Sequence, residues 1–267
     1  MEDKPIIQSW TIHKYENQSV TQLEDEVAVE FALTIVINGK EYATMVCSPC
    51  QLEELVIGFL ASEALILTYE EIQTLQVDVG AGFAYVDLKK ELLDTDWGRT
   101  KRFIGSCCGK SREFYYTQDA KTARTIVHKH QIIIEDIIHL MKAFQQQSDD
   151  FKRTGGVHQA ALASKESIQY RAVDIGRHNA LDKVYGYMLR EHSPRRNAQI
   201  VFSGRISSEV LLKVAKIGIG FILSPSAPTD LALRLANDLN ITTVGFIRNN
   251  RLNIYTHPEN IIHESTS

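Results

Sequence analysis

Two adjacent cysteines, Cys107 and Cys108, are the residues of this sequence best suited to chemistry. Sulfur reacts as the thiolate, whose ordinary pKa is about 8.5, and nearby positive charge favours that form. The segment 99–112 contains no acidic residue but five basic ones: Arg99, Lys101, Arg102, Lys110 and Arg112. Neighbouring Cα atoms lie about 3.8 Å apart, whereas disulfides prefer about 4.4–6.8 Å, so a bridge between these cysteines would be strained. The segment is therefore predicted to be a loop that presents a nucleophilic sulfur with a helper, or metal ligands.

A second pair, Cys47 and Cys50, has the C-x-x-C spacing of redox motifs. Ser48 stands three residues before Gln51, which is the spacing of a capping box, and Pro49 would occupy the first helical position. A helix start therefore explains these residues without a redox function and would place Cys50 in the first turn. A thiol-dependent redox enzyme that uses this pair remains an alternative.

Three segments of the second half each join a predicted strand to a predicted helix: 174–179, 203–208 and 224–230. In an open α/β sheet such loops gather at the carboxyl ends of the strands, where helix N-termini and hydroxyl groups bind anions. No Walker motif and no G-x-G-x-x-G is present in the sequence, so ordinary turn chemistry is the alternative for each loop. Two histidines could orient a ligand or transfer a proton. The predicted binding residues here are His158, Arg177, His178, Ser203, Gly204, Arg205, Ser224, Thr229 and Asp230.

Hydrophobic periodicity predicts the elements that position these residues. In the first half, 27–37 and 41–46 alternate around an Asn-Gly pair, which predicts a β-hairpin, and apolar residues at helical spacing from Leu52 predict a helix. In the second half a strand–loop–helix order repeats, which predicts an α/β domain with largely parallel central strands. A Gly-rich stretch before His158 resembles the approach to a helix. We place a domain boundary between 112 and 132.

Composition limits the class of protein. The chain has 267 residues, of which 44% are hydrophobic and 23% charged, as in ordinary globular proteins. The net charge of −4 argues against a nucleic-acid coat, and no apolar run approaches the roughly 18–20 residues that span a bilayer. The N-terminus lacks the apolar segment of a secretory signal, and four cysteines are too few for a disulfide framework. We expect a cytoplasmic protein that binds neither nucleic acid nor a membrane.

Five sequence blocks together point to a family. They are SCCGKSR, TGGVHQAAL, DIGRHNALDK, SGRISSEVLLKVA and SPSAPTDLALRLA, in that order. With them, the chain resembles the FdhD family of formate dehydrogenase accessory proteins, also called sulfur carriers, over about residues 20–260. The resemblance implies a sulfurtransferase that accepts persulfide sulfur from a cysteine desulfurase. It also implies delivery of that sulfur to the Mo-bis(molybdopterin guanine dinucleotide) cofactor before the cofactor enters formate dehydrogenase.

The same resemblance implies a fold, an assembly and particular residues. It implies a small α/β N-terminal domain, 1–120, and a cytidine-deaminase-like α/β C-terminal domain, 121–267, that lacks the deaminase zinc site and holds no metal directly. It also implies a homodimer. Many family members separate their two cysteines as C-x-x-C; here they are adjacent, and we take Cys107 as the sulfur carrier and Cys108 as its helper. The cofactor-binding stretch falls on Ile247, Arg248, Asn249, Asn250, Arg251 and Leu252. The rival function is a cofactor-binding chaperone that handles no sulfur.

Overall fold

A computed structural model describes most of the chain. The described residues are 5–92, 102–104 (backbone only), 123–127, 130–146, 153–165 and 167–263. Helices and strands both occur in the two halves, and the predicted α/β class is confirmed. Within these ranges, no helix has the length and apolar character needed to cross a bilayer.

The first two strands form a long antiparallel ribbon that the sequence analysis did not predict. It consists of β1 (Ile7–Glu16) and β2 (Ser19–Ala28), joined by Asn17 and Gln18 in left-handed conformations with φ of 52° and 62°. Two successive left-handed residues form a tight turn whose twist matches the right-handed twist of the two strands it joins. The predicted strand 27–37 was wrong at its start, because residues 27 and 28 are the last two residues of β2 and the next strand begins at Phe31. Most side chains of the ribbon are exposed.

The first half is built on a five-stranded sheet with the order β5-β6-β3-β4-β7. The strands are β3 (Phe31–Ile37), β4 (Lys40–Cys47), β5 (Ile72–Asp78), β6 (Phe83–Leu88) and β7 (Arg102–Ile104). The predicted hairpin at the Asn-Gly pair is confirmed, since β3 and β4 are antiparallel neighbours. The prediction that all of 99–112 is a loop was wrong for 102–104, because β7 pairs in parallel with β4 and extends the sheet.

The second half is built on a six-stranded sheet with the order β10-β9-β11-β12-β13-β14. The strands are β9 (His158–Ser164), β10 (Ser167–Asp174), β11 (Ala198–Phe202), β12 (Phe221–Leu223), β13 (Thr242–Arg248) and β14 (Arg251–Ile254). The three central strands β11, β12 and β13 are parallel, as predicted, whereas the flanking strands are antiparallel. A short parallel pair, β8 (Ile132–Ile133) with β15 (Ile261–Ile262), lies apart from this sheet.

Five helices of the described chain cover these sheets. They are α1 (Leu52–Ser62), α2 (Ile134–Gln146), α3 (Arg177–Arg190), α4 (Ser208–Ile217) and α5 (Asp230–Asp238). Residues of both halves share one hydrophobic core, and a smaller core lies between α2 and the second sheet. Helical periodicity from Leu52 predicted α1, and the repeated strand–loop–helix order predicted α3, α4 and α5.

Helices α1 and α3 approach each other so closely that each needs a glycine at the crossing. A Cβ atom built on Gly58 would lie 1.8 Å from the Asp182 carbonyl oxygen, and one on Gly186 would lie 1.9 Å from the Glu54 carbonyl oxygen. Any side chain larger than hydrogen would therefore force the two backbones apart. This contact fastens the first half of the chain to the second.

The predicted capping box before α1 was wrong. The helix begins at Leu52, and the residue before it, Gln51, has a left-handed φ of 52° and makes no side-chain cap. The Ser48 hydroxyl instead accepts the Ile175 N–H at 3.0 Å. The Gln51 side-chain NH₂ donates to the Arg171 carbonyl at 2.8 Å, and its Oε1 accepts the Val173 N–H at 3.2 Å. These polar residues bind β10 and the residue that follows it, more than a hundred residues away in sequence, so local spacing gave no sign of their role.

Candidate functional site

The predicted binding loops lie together at one edge of the second sheet. Parallel strands β11, β12 and β13 end at this edge, as their pairing requires. Strand β9 is antiparallel to β11, so its first residue, His158, lies at this edge. Strand β10 is antiparallel to β9 and ends at the same edge with Asp174, directly opposite His158. The edge therefore collects the ends of five strands from separate parts of the sequence.

Hydrogen bonds join the loop after β11 to the loop after β12. The Ser224 hydroxyl donates to the Gly204 carbonyl at 2.8 Å and accepts the Ser226 N–H at 3.0 Å. The Ser203 hydroxyl accepts the Gln159 N–H at 2.9 Å. Both predicted serines therefore hold the loops in place, and ligand binding by them stays a prediction.

His158 lies at this edge, but it begins strand β9; the prediction of a helix start at this residue was wrong. A Cβ atom on Gly204 would lie 3.4 Å from the His158 Nδ1, so the loop passes close to the ring. Burial, together with the charges of Arg177 and His178, lowers the pKa of His158 below its ordinary 6.5, while Asp174 opposes the shift. A half-buried neutral imidazole of this kind can donate one hydrogen bond and accept another at pH 7.

Arg177 and His178 are placed at the same edge by the start of α3. His178 Nε2 lies 3.3 Å from a carboxylate oxygen of Glu209 in the first turn of α4, and Arg177 lies 3.7 Å from the same oxygen. Burial lowers the pKa of His178, and its hydrogen bond to Glu209 works in the opposite direction. In this cluster, the Glu209 carboxylate is shared by the permanently charged Arg177 and the titratable ring of His178.

The β13–β14 hairpin carries two exposed arginines of the site. Arg248 and Arg251 are directly opposite each other across the two strands, joined by Asn249 and Asn250 at φ of 48° and 60°. Opposed like charges destabilise a strand pair. The described part of the chain offers neither guanidinium an ion-pair partner, although Arg248 Nε donates to the Pro225 carbonyl at 2.9 Å. An external anion would relieve this repulsion.

An open pocket of ≈ 490 Å³ lies on this hairpin. Its lining residues are Phe246, Arg248, Asn249, Arg251 and Asn253. Phe246 stands in a β-bulge with a left-handed φ of 51°, and the residue is 40% exposed. The Arg248 guanidinium carbon lies 5.8 Å from the centre of that ring. The pocket therefore joins an aromatic face to two cations and two amides, which suits a base bearing phosphates.

Other predicted residues have different environments. Thr229 caps α5 by accepting the Ala232 N–H, and exposed Asp230 pairs with Arg234 in the same helix. Ile247 is buried in β13, Leu252 is half-buried in β14 and Arg205 is exposed. Cys107 and Cys108 lie outside the described residues. The described ranges hold no cluster of three or more His, Cys, Asp or Glu residues that could bind a metal ion.

Sequence reasoning missed three residues of this edge. Glu209 pairs with Arg177 and His178 at the start of α3 only through the fold. Phe246 and Asn253 flank the predicted stretch and line the pocket because a bulge reorients the strand. An aromatic residue next to two spaced arginines was a usable signal for Phe246, whereas nothing in the sequence indicated the bulge.

The fold and this site define an α/β protein in which histidines, arginines and hydroxyl groups lie together at the carboxyl ends of parallel strands. The chain belongs to the FdhD/NarQ family, whose model matches 28–262. The sulfur carrier protein FdhD of Staphylococcus haemolyticus is 52% identical to this chain, over 97% of this chain and 98% of the relative. The relative in Geobacillus kaustophilus is 54% identical, over 94% and 95% of the two chains, and that in Halalkalibacterium halodurans is 56% identical, over 92% of each.

A solved structure agrees with this family. The crystal structure described as a formate dehydrogenase accessory protein from Desulfotalea psychrophila superposes with a TM-score of 0.79 at 26% identity. The match covers 97% of this chain and 100% of the other. The predicted membership is thereby confirmed.

Proposed function

We propose that this protein is a sulfur carrier for formate dehydrogenase. In this proposal it is a sulfurtransferase that takes persulfide sulfur from a cysteine desulfurase. It delivers that sulfur to the Mo-bis(molybdopterin guanine dinucleotide) cofactor before the cofactor enters the enzyme. Relatives at 52–56% identity carry the name sulfur carrier protein, and the similar solved structure carries the name of a formate dehydrogenase accessory protein.

The observation that carries the binding half of the proposal is the pocket on the β13–β14 hairpin. Two opposed arginines that lack an acidic partner within the described chain favour a polyanion, because charge-assisted hydrogen bonds would remove their mutual repulsion. The exposed ring of Phe246 beside them suits a planar base. A guanine nucleotide arm of the molybdenum cofactor supplies both groups.

The sulfur half of the proposal rests on the sequence of the cysteine loop. The Cys107 thiolate attacks the outer sulfur of the desulfurase persulfide, so a new S–S bond forms as the donor S–S bond breaks. The desulfurase cysteine leaves as a thiolate, and no external oxidant is needed. The five basic residues of 99–112 favour the anionic forms of both sulfur species, and Cys108 serves as helper.

The cluster at the sheet edge has an orienting role in this proposal. His158 and His178 are both neutral at pH 7, because burial lowers their pKa values. Neutral rings can hold hydrogen bonds to a bound anion without adding charge, while Arg177 supplies the charge. We further propose that the protein works in the cytoplasm as a homodimer, with the desulfurase and formate dehydrogenase as its protein partners.

The test is a persulfide assay with separate cysteine variants. The full chain is incubated with a cysteine desulfurase and cysteine, alkylated to trap persulfides, and analysed by peptide mass spectrometry. We expect one added sulfur atom on the peptide that holds Cys107, lost in Cys107→Ala and retained in Cys47→Ala. Full formate dehydrogenase activation in cells by Cys107→Ala would contradict the proposal.

The second candidate is a cofactor-binding chaperone that handles no sulfur. The hairpin pocket favours it equally, because none of the residues that line the pocket is a cysteine. This candidate predicts that a chain without Cys107 and Cys108 still binds GDP and still activates formate dehydrogenase. The sulfur carrier predicts that such a chain binds GDP with unchanged affinity but fails to activate the enzyme.

A further inference from the structure

The β1–β2 ribbon is a sheet of two strands, and the described part of the chain places no further strand beside either of them. β1 pairs with β2 over all ten of its residues without a bulge. In an antiparallel pair, alternate residues point their N–H and C=O groups away from the partner strand. The outer edge of β1 is therefore a regular row of backbone donors and acceptors, which is the arrangement that binds another strand.

Apolar side chains of the ribbon are exposed beside this edge. On β1, Trp10 is 57% exposed and Tyr15 is 70% exposed. Half-buried Ile12 lies near the middle of β1, directly opposite Leu23 of β2, which is 36% exposed. An isolated two-stranded ribbon is only marginally stable in water, and aromatic residues are enriched at protein interfaces. A partner that extends the sheet would therefore stabilise the ribbon and cover these side chains.

The two outer edges of the ribbon differ in charge. Strand β2 carries three successive acidic residues, 24–26. Strand β1 carries Lys14 and Glu16, whose side chains pair at 2.9 Å. The end of β2 is also fastened to the second half of the chain, since Arg153 donates to Glu26 at 2.6 Å. Like charges on neighbouring strands destabilise their pairing, so the balanced β1 edge, and not the acidic β2 edge, suits a second copy of itself.

The sequence of β1 is compatible with symmetric antiparallel pairing. A twofold axis through such a pair places one residue opposite its own copy. With Ile12 at the axis, Lys14 is opposite the partner's Trp10. Glu16 is then opposite the partner's Gln8, so no charge meets a like charge. A strand pair of this length forms about eight to ten hydrogen bonds, which is the number found in an ordinary protein interface.

We propose that the outer edge of β1 is a docking surface for a second copy of this chain, paired antiparallel about Ile12. The two ribbons then form one four-stranded sheet in the order β2-β1-β1-β2. This inference rests on the homodimer of the proposed function and names the contact that holds it. The nucleotide pocket is lined by residues of the β13–β14 hairpin, so the ribbon contact is not part of that pocket.

Sedimentation velocity of the full chain tests the contact. The unaltered chain should sediment as a dimer at micromolar concentration. Ile12→Glu places two carboxylates opposite each other across the axis, so the Kd of dimerisation should rise about tenfold or more. Leu23→Glu is the matched control, because it makes a similar change at the same level of the ribbon but on the far strand. A monomeric unaltered chain assigns the ribbon to a different partner and overturns the proposal, as does equal dissociation of the two variants.

A cross-linking test does not depend on charge repulsion. Directly opposed residues of antiparallel strands have Cα atoms about 4.5–5.5 Å apart, within the range that a disulfide bridges. After mild oxidation, Ile12→Cys should give a disulfide-linked dimer on a non-reducing gel. Leu23→Cys should show no more linkage than the unaltered chain with its four native cysteines. Absence of linkage through position 12, or equal linkage through both positions, overturns the proposal even if the charged variant loses its ribbon structure.

The proposed function is measured separately in the same chains. The Ile12→Glu chain should bind GDP with the Kd of the unaltered chain, because the residues that line the pocket belong to one chain. A dimer that survives Ile12→Glu while GDP binding is intact overturns the ribbon contact alone. A dimeric unaltered chain that fails to bind GDP contradicts the proposed function and leaves the ribbon contact standing.

Discussion

Two regions of this protein hold positive charge in opposite ways. Lys183 is fully buried between the two halves and is bound by Asp174 at 2.7 Å. Arg248 and Arg251 are exposed on a hairpin, opposed to each other, without an acidic partner in the described chain. The buried charge is compensated within the fold, so its loss costs stability. Within the described residues no carboxylate compensates the exposed charges, so their loss should cost ligand affinity and leave stability almost unchanged.

The largest effect is expected at the buried pair. Asp174→Ala leaves the Lys183 ammonium buried without its carboxylate, and breaking such a pair costs about 3–5 kcal/mol. Urea denaturation followed by circular dichroism measures the free energy of unfolding. Asp238→Ala, at an exposed position in the last turn of α5, is the matched control and should stay within about 0.5 kcal/mol. An equal loss in both variants would mean that the buried pair is not the source of stability.

The helix crossing in the same region should give the next largest effect. Gly186→Ala places a methyl group where a backbone oxygen lies 1.9 Å away, so α1 and α3 must separate. Overpacking of this kind costs about 1–3 kcal/mol of unfolding free energy. Gly80→Ala, whose Cβ would first meet an aspartate side chain at 3.3 Å, is the control. If both substitutions change the urea midpoint equally, the close crossing does not limit stability.

Substitutions in the exposed β13–β14 hairpin should change the affinity for a nucleotide. Arg251→Ala removes one charge-assisted contact, which is worth about 1.5–3 kcal/mol, so the Kd for GDP should rise about tenfold or more. The free energy of unfolding should change by less than about 0.5 kcal/mol. Isothermal titration calorimetry measures binding, with Lys14→Ala on the β1–β2 ribbon as a control for loss of one surface charge. Equal weakening by both variants would indicate nonspecific attraction and remove the hairpin pocket from the proposal.

The smallest effect is a pH dependence at the sheet edge. Burial lowers the pKa of His178 in the folded chain, so the unfolded chain takes up a proton first as pH falls below 6.5. Stability is therefore complete above that pH and is lost as pH decreases, by at most about 1.4 kcal/mol per pH unit for one histidine. Denaturation at a series of pH values should show a weaker decline in His178→Gln. An unchanged slope in that variant would assign the decline to other groups.

The two regions also differ in how far the sequence predicts them. Hydrophobic periodicity correctly predicted the helices and the parallel core of the second sheet, and loop chemistry predicted which segments meet at its edge. The hairpin that carries Arg248 and Arg251 follows from a strand, a turn and a strand in sequence, whereas their binding role was implied by the family resemblance and stays a prediction. Such features are local, or they follow from general rules for open sheets.

The interface between the halves could not be predicted in the same way. Ser48 and Gln51 match a local capping motif, yet their partners lie in β10 and beyond it, about 120 residues away. Lys183 lies within an apolar helical stripe, where the sequence does not indicate a buried acid. The β1–β2 ribbon was missed because strands exposed on both faces lack the polar–apolar alternation that identifies a half-buried strand.

That ribbon gives the protein an intrinsic optical reporter. Trp10 on β1 is 57% exposed, and the sequence has two tryptophans, the other being Trp97. In a Trp97→Phe chain, all tryptophan emission would come from the ribbon. A solvated indole emits at long wavelength, so any protein that covers the ribbon would shift the emission to shorter wavelength. Fluorescence of the unlabelled chain would then show which partner contacts this end of the molecule, and at what concentration.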